Sequence, residues 1–136
     1  NVTLFFPPNV FRQANLEAFT AIVCRIHQRL RDDCLSSSSL SSLPQIVELY
    51  GGVGTIGLHL VKFSSSYICS DENPHNESSF ANATAKLPPQ QSQKCRYIPK
   101  NATDMVRIHK RHLLNADILI VDPPRKGLDH DVLHFL

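Results

Sequence analysis

The sequence contains no apolar run that approaches the roughly 18 residues needed to cross a membrane as a helix. Its first residues lack the charged start and the apolar stretch of a secretory signal. Its net charge is only +2, so no excess of one sign indicates a nucleic-acid-binding domain by itself. The first two of these absences predict a soluble protein with no membrane partner.

The cysteines also lack the spacings that carry chemistry. The four of them form no C-x-x-C pair, and none has a metal-ligand spacing with any of the seven histidines. They are Cys24, Cys34, Cys69 and Cys95. Scattered cysteines favour reduced thiols, which pack as small hydrophobes when buried, over disulfides or a metal site. We therefore expect no bound metal and an intracellular, reducing setting.

The totals are those of one ordinary globular domain, with 136 residues that are 42% hydrophobic and 19% charged. Both termini, residues 1–6 and 135–136, lie in apolar segments. We expect both ends to be cuts through a larger protein. A serine-rich run over residues 36–44 predicts a flexible loop inside the domain, since the patterns on either side belong to one unit.

Apolar residues in the first third of the chain recur at spacings of three and four, which predicts a helix. They are Phe19, Ile22, Val23, Ile26 and Leu30. Asn15 is placed to cap this helix. Its opposite face carries three arginines, for which a solvated surface is favoured over contact with RNA. These are Arg25, Arg29 and Arg31.

Further along the chain, short β-rich runs alternate with helical stretches. The predicted strands are residues 46–50, 67–69, 96–98 and 117–122, and the predicted helices are residues 56–61, 76–85 and 103–114. This alternation predicts an α/β fold with a parallel sheet and right-handed crossovers. The unbroken apolar run of the last strand indicates burial on both faces, and Thr103 is the expected cap of the last helix.

Gly52, Gly54 and Gly57 follow the first predicted strand and open a helix, which is the context of a nucleotide-binding turn. Glycine lets the backbone turn tightly and approach a ligand closely. Glu72 follows the second strand, near the roughly 20-residue offset at which an acidic residue binds ribose hydroxyls, and Asp71 is a rival for that role. The pattern leaves open a dinucleotide, S-adenosylmethionine, or tight packing alone.

Three segments resemble, in order, the motifs of the RNA (uracil-5-)-methyltransferase family. Residues 11–15 (FRQAN) fit F-x-Q-x-N, residues 48–54 (ELYGGVG) fit (D/E)-L-Y-C-G-x-G, and residues 122–128 (DPPRKGL) fit D-P-P-R-x-G-L. Together they extend over nearly the whole chain. The resemblance implies part of a Rossmann-like class I methyltransferase fold, with its four strands in the spatial order 3-2-1-4. It also implies S-adenosylmethionine as the cofactor, and tRNA or ribosomal RNA as the partner of the full-length protein.

The resemblance also implies roles for individual residues. One residue of the first motif would hold the methionine end of the cofactor, and the tyrosine and glycines of the second would line that end. An acidic residue would take the ribose, and the aspartate of the third motif would lie beside the methyl donor. These residues are Gln13, Tyr50, Gly52, Gly54, Glu72 and Asp122. From the residues alone, Gln13 and Asp122 could equally be local caps.

Two positions depart from the family pattern. Gly51 replaces the usual cysteine, which is predicted to loosen the turn without removing a catalytic group. Asn101 lies near the position where the family commonly has an acidic residue beside adenine, so that contact loses its charge.

The catalytic groups of the family are also missing. In the family a cysteine thiolate adds to carbon 6 of uracil, carbon 5 takes the methyl group, and a carboxylate base removes the carbon 5 proton. That cysteine follows the D-P-P-R motif, whereas no cysteine follows Cys95 here. We expect the nucleophile and the glutamate base beyond Leu136, and an RNA-binding domain before Asn1. Two alternatives are a non-catalytic binding module and an NAD-binding Rossmann domain, which leaves D-P-P-R unexplained.

Overall fold

The computed structural model describes residues 2–8, 10–36 and 43–136. The strands are β1 (Gln45–Leu49), β2 (Ser66–Ser70), β3 (Cys95–Ile98) and β4 (Ile118–Val121). The helices are α1 (Leu16–Ser36), α2 (His75–Thr84), α3 (Pro89–Ser92), α4 (Ala102–Arg107), α5 (Lys110–Leu114) and α6 (His130–Phe135). The serine-rich loop predicted over residues 36–44 falls largely outside the described residues.

The four strands form one parallel sheet in the order β3-β2-β1-β4, which confirms the predicted fold class and strand order. Val47 of β1 pairs with Ile68 of β2 on one side and with Leu119 of β4 on the other. Ile68 in turn pairs with Arg96 of β3. Strand β1 therefore lies inside the sheet, and the chain segments that follow β1, β2 and β4 emerge at the same edge.

Side chains of successive residues in β1 enter different cores, as the two-residue period of a strand requires. Ile46 packs with the residues that follow the glycine turn and with α2, while Val47 and Leu49 pack with α4 and α6. Both faces of β1 are covered, so all of its residues from Ile46 to Leu49 are buried. This burial holds the glycine turn on a rigid base.

The helix predicted over residues 56–61 is wrong. Two 3-10 turns, Gly57–His59 and Val61–Phe63, replace it. The Leu60 amide donates to the Gly57 carbonyl at 2.8 Å, which is the tighter hydrogen bond of a 3-10 turn. This tighter winding packs Gly57 directly against the ring of Tyr67.

The helix predicted over residues 103–114 is also wrong as a single element. It is interrupted at Ile108 and His109 and forms α4 and α5. Asn101, not Thr103, caps α4, because its Oδ1 accepts the Asp104 amide at 2.7 Å. On either side of the break, Met105 of α4 and Leu113 of α5 reach the same core.

Strand β4 is an edge strand within the described part of the chain, yet both of its faces are covered. Ile118 and Ile120 pack against the core that contains Ile46, and Leu119 packs against the core that contains Val47. Its four residues are all half-buried. A four-stranded sheet provides a neighbour on one side of β4 only, and its outer side keeps unpaired backbone groups.

The first helix follows its prediction closely. The Asn15 side chain accepts the Ala18 amide at 2.9 Å, which confirms the cap. Val23 is buried, and Phe19, Ile26 and Leu30 pack against the core. Ile22 is the exception, since 53% of it remains exposed. The three arginines of the other face are exposed, as predicted.

Within the described ranges, none of the helices has both the length and the apolar character of a membrane span. The same residues contain no group of three side chains that could hold a metal ion. Cys24, Cys69 and Cys95 are free thiols.

We predict that Gly57→Ala destabilises the chain by about 3 kcal/mol, because the added Cβ would overlap the Tyr67 ring in a filled core. Gly127→Ala is the matched control. Its φ of +86° strains an alanine, but no atom lies within 4 Å of the new Cβ, so we expect a loss of only about 1 kcal/mol. Urea unfolding followed by circular dichroism measures both; equal midpoints for the two variants would contradict the proposed packing.

Candidate functional site

A cavity of about 770 Å³ lies at the carboxyl ends of the strands. Open parallel sheets bind their ligands at this edge. The walls come from the N-terminal segment, from the ends of β1, β2 and β4, and from the start of α4. They include Phe11, Gln13, Glu48, Tyr50, Gly52, Asp71, Glu72, Asn76, Asn101, Asp122, Arg125, Lys126 and Asp129.

Five of the six residues predicted to bind a cofactor line this one cavity, although they are far apart in the sequence. They are Gln13, Tyr50, Gly52, Glu72 and Asp122. Gly54 is not in the wall: a Cβ there would lie 2.8 Å from the Leu58 side chain and 2.9 Å from Phe80. The close packing of Leu58 and Phe80 therefore explains why position 54 is a glycine. The cofactor-binding roles of all six remain predictions.

The glycine turn winds through left-handed backbone conformations, with φ values of +57° at Gly52 and +84° at Gly54. The Gly54 amide donates to the Gly51 carbonyl at 2.8 Å, which closes the turn. Tyr50, which is not a glycine, also has a positive φ of 56°. A side chain in this conformation is uncommon, and here it turns the tyrosine toward the cavity.

The structure does not show the looser turn expected from Gly51. Gly51 is buried, and a Cβ at that position would lie 2.6 Å from Cys69 Sγ and 3.0 Å from Glu48 Cγ. The sulfur of Cys69 therefore occupies the space that a side chain at position 51 would need. The turn is supported from below by a neighbouring strand.

Glu48 is a member of the site that the sequence analysis did not single out. Only 1% of it is exposed, and its carboxylate accepts the Gly57 amide at 3.0 Å, the Ile56 amide at 3.3 Å and the Tyr67 hydroxyl. Burial raises its pKa to about 7, against the lowering effect of these hydrogen bonds, and nearby Asp122 raises the pKa further. The sequence feature that could have identified Glu48 is its position as the single acidic residue inside the apolar run of β1.

Asp71 and Glu72, the two candidates for a ribose acceptor, have different surroundings. Asp71 is half-buried and accepts the Gly52 amide at 3.0 Å, so it joins the end of β2 to the glycine turn. Glu72 is exposed at the cavity wall. Both carboxylates line the cavity, so the structure keeps both candidates.

A hydrogen-bond cluster ties the end of β1 to the segment after β4. The Tyr50 hydroxyl donates to Asp129 Oδ2 at 3.0 Å and accepts the Asp129 amide at 3.3 Å. Lys126 Nζ lies 3.0 Å from Asp129 Oδ1. The hydrogen bond from Lys126 is the main reason why the pKa of Asp129 lies below its usual value. The cluster holds residues 122–129 along one wall of the cavity.

Polar residues at the starts of α4 and α6 complete this region. Asn101 lines the cavity, but its Oδ1 is used to cap α4, so its acceptor faces the helix. Asp129 immediately precedes α6, and Asp131 lies in its first turn. Asp131 also pairs with Arg107 at 2.6 Å.

Comparison with known proteins agrees with this architecture. An uncharacterised RNA methyltransferase of Protochlamydia amoebophila is 33% identical over 135 residues, which is 99% of this chain and 32% of the relative. The chain thus spans about a third of the length of this curated relative. No protein-family model matches the sequence.

Solved structures show the fold. Precorrin 8w decarboxylase of Methanobacterium thermoautotrophicum superposes with a TM-score of 0.63 at 17% identity, over 96% of this chain and 60% of that one. An S-adenosylmethionine-dependent methyltransferase of Agrobacterium tumefaciens gives 0.58 at 16% identity, over 76% and 32%. The chain therefore has the Rossmann-like fold of S-adenosylmethionine-dependent methyltransferases, in partial form.

We predict that stability falls between pH 5 and pH 8 by on the order of 3 kcal/mol because of Glu48. Its folded pKa of about 7 lies above the ordinary 4.5, so the folded state binds the extra proton between these values. The stabilisation is complete below pH 4.5 and is lost as the pH rises through 7. Urea midpoints measured across this range should show the slope.

Glu48→Gln should flatten that slope, because the amide does not titrate. Glu77→Gln, an exposed substitution in the first turn of α2, should keep the slope of the wild type. An unchanged slope in Glu48→Gln would assign the pH dependence to another group.

Proposed function

We propose that this chain is the S-adenosylmethionine-binding part of an RNA methyltransferase. The observation that carries the proposal is the convergence of Glu72, Asp122 and the glycine turn on one cavity, from the ends of three different strands. In a sheet of this topology the cofactor of the fold binds at that edge. The similarity to the Protochlamydia protein supports the assignment of RNA as the substrate.

The charge of the cavity favours a sulfonium nucleoside over a dinucleotide. Four acidic side chains outside the core line it: Asp71, Glu72, Asp122 and Asp129. Buried Glu48 adds a fifth carboxyl group, but its pKa of about 7 leaves it only partly charged near neutral pH. The basic side chains of the wall are Arg125 and Lys126, and Lys126 is paired with Asp129. An excess of carboxylates attracts the positive sulfur and amino group of S-adenosylmethionine and repels the two phosphates of NAD.

Each part of the cofactor has a chemically suitable partner in the wall. Glu72, with Asp71 beside it, accepts hydrogen bonds from the ribose hydroxyls, and the backbone at Gly52 allows close approach. Gln13, with an amide donor and acceptor, and Tyr50 hold the methionine end. Asp122 lies beside the methyl-donor centre. These side chains bind and orient the donor, and the bound cofactor supplies the methyl group.

The finer proposal is methylation of carbon 5 of a uridine in tRNA or ribosomal RNA. It is supported by the three segments that resemble the RNA (uracil-5-)-methyltransferases, all of which contribute residues to the cavity wall. The target base must leave its stack to reach such a site, and an RNA-binding domain in the full-length protein would offset that cost. The mechanism of that family uses a nucleophilic cysteine after the D-P-P-R motif, and no cysteine follows Cys95 in this sequence.

Calorimetric titration of the chain with S-adenosylmethionine and with NAD tests the cofactor assignment. We expect binding of S-adenosylmethionine only, and a loss of about tenfold in affinity for either Glu72→Gln or Asp122→Asn, since each removes a charged acceptor. Glu77→Gln, an exposed acid outside the cavity, should bind like the wild type. Tight binding of NAD would overturn the assignment and favour a dehydrogenase-type domain.

The finer proposal predicts that the 136-residue chain alone forms no 5-methyluridine, because no cysteine follows Cys95. The full-length parent protein should methylate tRNA or ribosomal RNA, and mass spectrometry of RNA digests identifies the product. Formation of 5-methyluridine by the isolated chain would contradict the missing nucleophile. Cofactor binding by a full-length parent that methylates neither RNA would instead favour a non-catalytic binding module.

A further inference from the structure

The Asp71 carboxylate is held by three N–H donors at the end of β2. Its Oδ2 accepts the Gly52 amide at 3.0 Å, and its Oδ1 accepts both the Asn73 amide and Asn76 Nδ2 at 2.9 Å. A carboxylate has about four lone-pair positions. Within the described residues these bonds fill both positions of Oδ1 and one of Oδ2. One acceptor position of Oδ2 is therefore left at the cavity wall.

Asn76 supplies the single side-chain donor among those three. It lies in the first turn of α2, is 3% exposed and forms part of the cavity wall. Its Oδ1 and the Tyr97 hydroxyl are buried atoms that have no hydrogen-bond partner in the described part of the chain. The two side chains are nonetheless neighbours. Burial raises the pKa of the Tyr97 hydroxyl, and the adjacent Asn76 side chain opposes that rise.

This arrangement is poorly explained by packing alone. Burying an amide whose oxygen is unpaired is unfavourable, and an apolar side chain would fill the same place without that cost. The gain from asparagine at this position is the Nδ2 hydrogen bond, which fixes the orientation of the Asp71 carboxylate. A fixed acceptor needs no reordering when a ligand arrives.

We propose that Asn76 is a positioning residue for ribose recognition. By holding Asp71 Oδ1, it directs the open position of Oδ2 toward one ribose hydroxyl of the cofactor, while exposed Glu72 takes the other hydroxyl. Asn76 acts through Asp71 and does not itself contact the ligand. This inference rests on the proposed binding of S-adenosylmethionine and adds a residue to that site.

The test compares S-adenosylhomocysteine with its 2′-deoxy and 3′-deoxy analogues by calorimetry. The variants are Asn76→Ala, Asp71→Asn, the double variant, and Asn82→Ala as an exposed control in the same helix. We expect the wild type to prefer the parent compound over one deoxy analogue by about tenfold, the value of one hydrogen bond to a charged group. Each single variant should lose most of this preference, whereas Asn82→Ala should keep it.

The double variant separates positioning from direct contact. If Asn76 acts through Asp71, adding Asn76→Ala to Asp71→Asn should cause no further loss of preference for S-adenosylhomocysteine over the deoxy analogue. The effects of the two substitutions are then not additive. A further loss in the double variant would show a direct contact and overturn the positioning role. Asn76→Ala with the preference of the wild type would also overturn it.

A measurement on the wild type covers the case in which Asn76→Ala does not fold. The side-chain amide resonance of Asn76 should shift more with S-adenosylhomocysteine than with the deoxy analogue that Asp71 fails to recognise. Equal shifts would overturn the inference and leave the proposed function intact. Absence of any binding by the wild type would overturn both.

Discussion

The buried carboxylate of Glu48 is the interaction on which the site depends. It lies inside β1 and accepts two backbone amides, from Ile56 and Gly57, and the hydroxyl of Tyr67. Burying a carboxyl group is expensive unless its oxygens are paired, and here these donors come from the segment after β1 and from β2. The hydrogen bonds bring the chain back against the strand it has just left, which determines the path of the turn between them.

Strand β2 then shapes that turn from below. The ring of Tyr67 packs against Gly57, and the sulfur of Cys69 fills the space beside Gly51. Two of the glycines in this segment are therefore required by contact with β2. Gly52 differs from them: its left-handed backbone lies at the cavity, and its amide reaches Asp71. The turn is packed on one side and open to a ligand on the other.

The open side collects acidic groups because parallel strands end at the same edge. Asp71 and Glu72 follow β2, Asp122 follows β4, and Asp129 is held to Tyr50 at the end of β1. The segment after β4 is thereby joined to β1, its neighbour in the sheet. A cavity with these walls suits a ligand that carries positive charge next to an adenosine, which is the chemical description of S-adenosylmethionine.

Much of the architecture could be predicted from the sequence. Alternating apolar runs were sufficient for four parallel strands, and the order β3-β2-β1-β4 followed from the family resemblance. The predictions that failed concern local winding. Residues 56–61 carry a helical pattern but form 3-10 turns, because contact with Tyr67 and hydrogen bonds to Glu48 constrain Gly57 more strongly than helix propensity does. Both faces of β4 are covered as expected, but its residues stay half-buried because the strand has a neighbour on one side only within the described part of the chain, which a run of apolar residues does not show.

The sequence by itself determined the class of fold and the motifs that meet at the cavity, because strand period, glycine spacing and acidic offsets are local properties of the chain. Only the tertiary structure decided which other side chains support those motifs by packing or hydrogen bonding. Glu48, Cys69 and Asn76 matter through partners that are distant in the sequence or on a neighbouring element. The role of Gly54 was decided in the same way, since its contacts with Leu58 and Phe80 exist only once α2 packs on the turn.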